Sequence, residues 1–347
     1  MTDGLARSAG SVDPHRRGAL LTAAGVTLGW LASSRDADGS TRHAAGFRRS
    51  EWHAGDATAG AQGRRLFVWY PAVAGEKRFD YGGPIGRVAA GAPPAPGRHP
   101  LLVFSHGYLG AGDQSIFLTE HLSRMGYIVA AVDHADAQGR AGIGGVTAFA
   151  RPQDWIAETY IDRRQDMTAL IDLLVAADAD RSAFLHRHVD DGRIGAIGHS
   201  LGGYTVLGLA GARTAWREPR VRAALGLSPY VAPYLQPHAE VSVPVPVMLQ
   251  GGTLDFGITP DLPAMFERLH AGRYLMVLRG ENHLGWTNLA SIGRDTVAAV
   301  AQGNPRWIAD YALAFFDRHL RERDRSDLLD RPNAELHSYL HESPTRR

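Results

Sequence analysis

The segment Gly198-His199-Ser200-Leu201-Gly202-Gly203 sets a serine hydroxyl between glycines in the pattern G-x-S-x-G. A serine hydroxyl is a poor nucleophile until a base takes its proton, and an imidazole in that role needs a carboxylate to orient it. Two later segments offer those groups in order. Gln250-Gly251-Gly252-Thr253-Leu254-Asp255 carries a carboxylate 55 residues beyond the serine, and Arg279-Gly280-Glu281-Asn282-His283 an imidazole 28 residues further on. Ser200, Asp255 and His283 are the expected nucleophile, orienting acid and base for attack on an ester-type carbonyl carbon. Glu281 and Asp261 are rival acids. Glu281 sits two residues before His283 and would have to fold back, while Asp261, next to Pro260, reads as an N-cap for a helix from Leu262 to His270.

The tetrahedral intermediate of such an attack needs two backbone N–H donors for its oxygen. Leu201, directly after the serine, is expected to supply one. Tyr108, within Ser105-His106-Gly107-Tyr108-Leu109-Gly110, is expected to supply the other, with Gly107 allowing the turn that aims it inward. His106 reads as a structural histidine that ties loops together. Asp133-His134-Ala135-Asp136 reads as a polar loop closing a turn, and no HExxH pattern occurs. The chemistry calls for neither a metal nor an organic cofactor.

These groups need a frame that brings distant segments to one edge. Short apolar runs predict strands at Leu101–Phe104, Ile128–Val132, Ile194–Ile197, Ala223–Leu227, Val245–Leu249 and Tyr274–Leu278. Arg65 to Pro71 predicts an earlier strand stopped by its proline, and the Gly-, Pro- and Ala-rich stretch from Gly82 to Pro100 predicts a surface loop. Helical spacing sets Met167, Leu170, Ile171 and Leu174 on one stripe, and Ile308, Tyr311, Ala312, Phe315, Phe316 and His319 on another. Strands alternating with such helices predict an α/β fold, with a mostly parallel central sheet covered by helices on both faces. Ser200, Asp255 and His283 each follow a predicted strand, where an open α/β sheet puts its site. Residues 135–160 interrupt the rhythm and predict a small insertion beside that site.

Together, Ser105-His106-Gly107-Tyr108, Gly198-His199-Ser200-Leu201-Gly202-Gly203, Leu254-Asp255 and Asn282-His283 resemble the dienelactone-hydrolase-like and platelet-activating-factor-acetylhydrolase-like branch of the α/β-hydrolases. They are also similar to bacterial cutinase-like polyester hydrolases, and the likeness spans about residues 46–320. The resemblance implies the α/β-hydrolase fold and ester hydrolysis on a fairly apolar acyl group, of small-molecule, lipid or polyester origin. It also implies a substrate-lining aromatic after a central strand, which puts Tyr230 forward, and Trp286 is a second candidate. A serine in place of cysteine departs from true dienelactone hydrolases, and the 135–160 segment is longer than in the compact polyester hydrolases. A serine amidase or peptidase, and a catalytically silent binding module, remain alternatives; the first lacks a sign of an amine-side pocket, and the second normally lacks a triad member.

Composition narrows the field. A formal charge of +1 over 347 residues offers no footprint for nucleic acid, and the absence of cysteine removes disulfides and thiolate chemistry. Residues 1–40 form an N-terminal extension ahead of a hydrolase domain expected over 41–347. His15-Arg16-Arg17, the apolar run Ala19–Ala32 and the small residues Ala32, Ser33 and Ser34 follow the order of a signal peptide resembling the twin-arginine type. Export to the periplasm or medium is therefore expected, with a cytoplasmic location as the alternative, since Asp3 and Asp13 dilute the leading charge. The apolar run is too short to span a bilayer.

Overall fold

A computed structural model describes residues 42–51, 53, 64–137, 149–331 and 333–342. The expected leader lies outside the described residues, as do residues 138–148 of the 135–160 segment. The strands are β1 (Ala44–Glu51), β2 (Arg65–Ala72), β3 (Lys77–Asp80), β4 (Ile85–Ala90), β5 (His99–Ser105), β6 (Ile128–Val132), β7 (Val189–His199), β8 (Val221–Leu227), β9 (Val247–Gly252), β10 (Arg273–Leu278) and β11 (Ser338–Glu342). The helices that matter here are α1 (Ile116–Arg124), α2 (Ile161–Ala179), α3 (Leu201–Leu207), α4 (Leu262–Glu267), α5 (Thr296–Ala299) and α6 (Gly303–Arg321).

The strands form one mixed sheet in the order β11-β10-β9-β8-β7-β5-β6-β2-β1-β4-β3. The six from β10 to β6 run parallel. β2 pairs antiparallel with β6 and with β1, and β11 pairs antiparallel with β10. The chain is α/β, and alternate residues of its strands feed opposite cores. Leu102 and Phe104 of β5 pack with α1 and α6, whereas Leu101 and Val103 pack with α2. Helices cover both faces, which is why the central strands read as continuous apolar runs.

The structure corrects several expectations. Pro71 does not stop β2, which runs to Ala72. The pairing with β6 ends at Trp69, so the missing N–H of Pro71 breaks no ladder bond with β6; beyond that point Ala95 N–H donates to Pro71 O at 2.7 Å. The segment from Gly82 to Pro100 is not all loop. It contains β4, whose Val88 and Ala89 enter opposite cores, and the turns on either side masked this short strand. The helix after Asp261 ends at Glu267, leaving His270 beyond it, and the Asp261 side chain makes no capping bond. Pro263 occupies the second helical position and lacks one of the N–H groups such a cap would bind.

Candidate active site

Ser200 sits in the single-residue step between β7 and α3, with φ 53° and ψ −117°. The strand must turn into the helix without room for side chains on the flanking residues. A Cβ on Gly198 would overlap the Gly202 carbonyl, and one on Gly202 would overlap the Ser105 carbonyl. The turn is locked from three sides: Ser200 N–H donates to Leu227 O at 3.1 Å, and Ser200 O accepts from Tyr204 N at 3.1 Å and Tyr230 N at 2.9 Å.

The loops after β9 and β10 bring Asp255 and His283 to this turn. Ser200 Oγ lies 3.0 Å from His283 Nε2, and His283 Nδ1 lies 2.9 Å from Asp255 Oδ2. The carboxylate is buried while the imidazole is partly open to solvent. Neither rival acid is in place. Glu281 accepts from Asn282 N at 3.1 Å and from Asn304 Nδ2 at 2.9 Å.

Two members of this cluster were not singled out from the sequence. Ser228, just past β8, hydrogen-bonds through its hydroxyl to Asp255 Oδ2 and lies 3.0 Å from His283 Nδ1. Its signal was a polar residue ending the strand between those that lead to Ser200 and Asp255. His199 lies 2.9 Å from the His283 carbonyl through Nε2. Burial, reinforced by the neighbouring His283, pushes the His199 imidazole down to about 3, so it is neutral and Nε2 carries the proton it donates. Leu109, Ser200 and Ser228 are three of the five non-glycine residues with positive φ among the described residues, so unusual backbone gathers here.

The cluster opens into a cavity of about 760 Å³, within the size range of small-molecule sites. Tyr108, Phe149 and Tyr230 form one wall, with ring centroids 5.4 Å apart for Tyr108–Phe149 and 5.0 Å for Phe149–Tyr230. Leu284 and Ile258 also line it, and exposed Leu254 and Phe256 flank Asp255. Trp286 is not in the lining. Its ring is fully buried in the core and its Nε1–H donates to Gln250 Oε1 at 3.0 Å, which corrects its candidacy: the indole found its polar partner beneath the sheet.

Of the two expected N–H donors, Leu201 is the first residue of α3 and has no partner within the helix. On the other loop, Gly107 N–H donates to Gln114 Oε1 at 3.0 Å and Leu109 N–H to Asp136 Oδ2 at 2.9 Å. Tyr108 N–H, between them, has no partner among the described residues.

Behind this loop lies a buried polar network. Ser105 Oγ lies 2.9 Å from His134 Nε2, and His134 Nδ1 lies 2.8 Å from Asp166 Oδ2, which also pairs with Arg64. His106 accepts from His134 N–H at 2.9 Å and so joins the loops after β5 and β6. Burial, together with the charges of Arg163 and His134, holds its imidazole well below the usual range. No group of three or more His, Cys, Asp or Glu side chains arranged to hold a metal ion occurs among the described residues. No helix among them is long and apolar enough to cross a membrane.

No protein-family model matches the chain, and no curated protein matches it significantly in sequence.

Proposed function

We propose that this chain is a serine carboxylic-ester hydrolase of the α/β-hydrolase fold, acting through an acyl-enzyme on short to medium acyl esters. The observation that carries the reading is the continuous contact from Ser200 Oγ through both His283 nitrogens to Asp255, set at the floor of an apolar cavity. Six parallel strands, a sharp serine turn after β7, and acid and base in the loops after β9 and β10 are the arrangement expected of that fold.

His283 Nε2 takes the Ser200 proton as Oγ attacks the ester carbonyl. Asp255 orients the ring and stabilises its charged form, and Ser228 shares that carboxylate. The developing oxyanion is held by the N–H groups of Leu201 and Tyr108. His283 Nε2–H then protonates the alcohol, which leaves, and water repeats the sequence on the acyl-enzyme. The aromatic wall and Leu284 suit an apolar acyl group, and Tyr230 is the aromatic placed to touch it.

The test is hydrolysis of nitrophenyl esters from acetate to palmitate by the full chain and by Ser200→Ala. Activity that vanishes with the substitution supports the reading, and the chain-length optimum reports the acyl pocket. A folded wild-type protein inert towards every ester overturns it.

A further inference from the structure

Arg163 is a charged residue in an unexpected place. It lies on α2 in line with Met167, Leu170 and Leu174, on a stripe that should be apolar, and it is 1% exposed. Taking a guanidinium out of water costs several kcal/mol unless its donors are met. Here Nε has no partner, and the Nη donors are met by the loop after β5 and by Asp136 after β6. Nη1 donates to His106 O at 2.7 Å, Nη2 to Gly107 O at 3.3 Å, and Nη2 to both oxygens of Asp136 at 2.8 Å. Asp136 in turn accepts Leu109 N–H at 2.9 Å. Burial opposes ionisation of that carboxyl, but the charge of Arg163 and the bonds from Arg163 and Leu109 hold it well below the usual carboxylate range.

Peptide planarity converts these bonds into a direction. In a trans peptide, C=O and N–H point opposite ways. The carbonyls of His106 and Gly107 both turn to Arg163, so the N–H groups of Gly107 and Tyr108 turn away from it. Gly107 N–H is spent on Gln114, leaving Tyr108 N–H as the open donor. The loop lies directly against the nucleophile, since a Cβ on Gly107 would sit 3.4 Å from Ser200 Cβ. Gly107 O also accepts from Gly110 N at 3.0 Å and from His106 Nδ1 at 2.7 Å, which closes the turn locally. Arg163 and Asp136 add the anchor to α2 and to the segment after β6.

We infer that the buried Arg163–Asp136 pair is a positioning device that fixes the 107–108 peptide plane so that Tyr108 N–H meets the oxyanion. Neither residue touches substrate. The inference rests on the ester-hydrolase reading above and deepens it. A preorganised donor acts only as charge develops in the transition state, so loosening it lowers kcat and leaves ground-state binding alone.

The experiment compares the full-length wild type with Arg163→Lys, which keeps the charge but cannot span two carbonyls and a carboxylate at once. Readouts are kcat and KM on a nitrophenyl ester, the acid limb of the pH profile, and inhibition by a short alkyl boronic acid, whose tetrahedral adduct on Ser200 places an oxygen at the oxyanion position. Removing one oxyanion donor outright costs about 100- to 1,000-fold, so a loosened one should lower kcat about 10- to 100-fold. The boronate Ki should rise by the same factor, with KM within about two-fold and the acid limb unmoved. If Arg163→Lys does not fold, Asp136→Asn, which keeps an acceptor for Leu109, decides with an expected loss of about 3- to 10-fold. A folded variant with full kcat overturns the inference. So does a loss confined to KM, a shifted acid limb, or a boronate Ki that stays put while kcat falls. An inert wild type overturns the parent reading and this one together, whereas an active wild type with indifferent variants overturns this one alone.

Discussion

Two serines in this molecule head chains of the same three groups. Ser200–His283–Asp255 has contacts of 3.0 and 2.9 Å, and Ser105–His134–Asp166 has contacts of 2.9 and 2.8 Å. By hydrogen-bond distance alone they are indistinguishable. They differ in everything around the serine. Ser105 ends a strand with its side chain fully buried, and Arg163 Nη1 lies 3.4 Å from its oxygen. Ser200 stands in a left-handed turn that faces a cavity, with an uncommitted helix-start N–H beside it. In the buried chain Arg64 already bonds the same carboxylate oxygen of Asp166 that His134 approaches, so the charge is spent on cohesion. A Ser–His–Asp contact thus need not be a reacting one; the proposed chemistry also requires access and a waiting donor.

The largest expected effect is at the two serines. Ser200→Ala should lower kcat by about a million-fold and abolish fluorophosphonate labelling, as removal of a triad nucleophile does. Peptide mass analysis of the labelled wild type should find the probe on Ser200 alone; a label on Ser105 would break the comparison. Ser105→Ala should instead leave kcat within about ten-fold and cost about 1–3 kcal/mol by leaving His134 without its partner, measured by urea unfolding.

The two acids should separate along the same line. Asp255→Asn should lower kcat about 10,000-fold with little loss of stability, because the imidazole loses its orienting charge. Asp166→Asn should cost about 3–5 kcal/mol by stranding buried Arg64, with kcat per folded molecule far less affected. Ser228→Ala is a milder probe: loss of one hydrogen bond to the Asp255 carboxylate should lower kcat about 3- to 10-fold with KM steady.

Acid should destabilise the fold through two histidines that belong to neither chain. His199 beside the open chain and His121 on α1 are buried neutral, each pushed from 6.5 down to about 3, with burial as the leading cause. Between those values the unfolded chain binds protons that the folded chain refuses. Stability is therefore fully present above about pH 6.5 and declines as pH falls towards 3, by up to about 1.4 kcal/mol per pH unit for each histidine. Urea midpoints at pH 7 and pH 5 check the sign; equal midpoints would show that these imidazoles are not buried neutral.

The sequence made the open chain legible because each of its members follows an apolar strand and stands among glycines. Ser200, Asp255 and His283 could be found from local punctuation without knowing strand order. Tyr230 came from family likeness, and it lines the cavity. Ser228, His199 and the Arg163–Asp136 pair were hidden because their partners lie 27, 84 and 27 residues away, and nothing local marks such pairs. Arg163 did carry a signal, a charge on an apolar helical stripe, which is recognisable once burial is taken seriously. Trp286 misled because an aromatic just after the His283 loop suits a cleft as well as a core, and only the position of Gln250 decides. β4 was lost for a different reason: a six-residue strand between two turns takes on their composition.

The left-handed backbone at Leu109, Ser200 and Ser228 has a consequence for how such a protein can change over generations. Each of these residues holds a conformation that glycine would adopt with less strain, at a cost of about 1–3 kcal/mol per position. Against a typical total stability of about 5–15 kcal/mol, that is a large fraction held in three places. A lineage selected only for robustness would find glycine at these positions and gain thermal tolerance, and at Ser200 it would lose the proposed nucleophile. The Ser200 side chain persists only while the proposed chemistry is under selection, so in related chains its loss would be an early mark of the site turning into a scaffold.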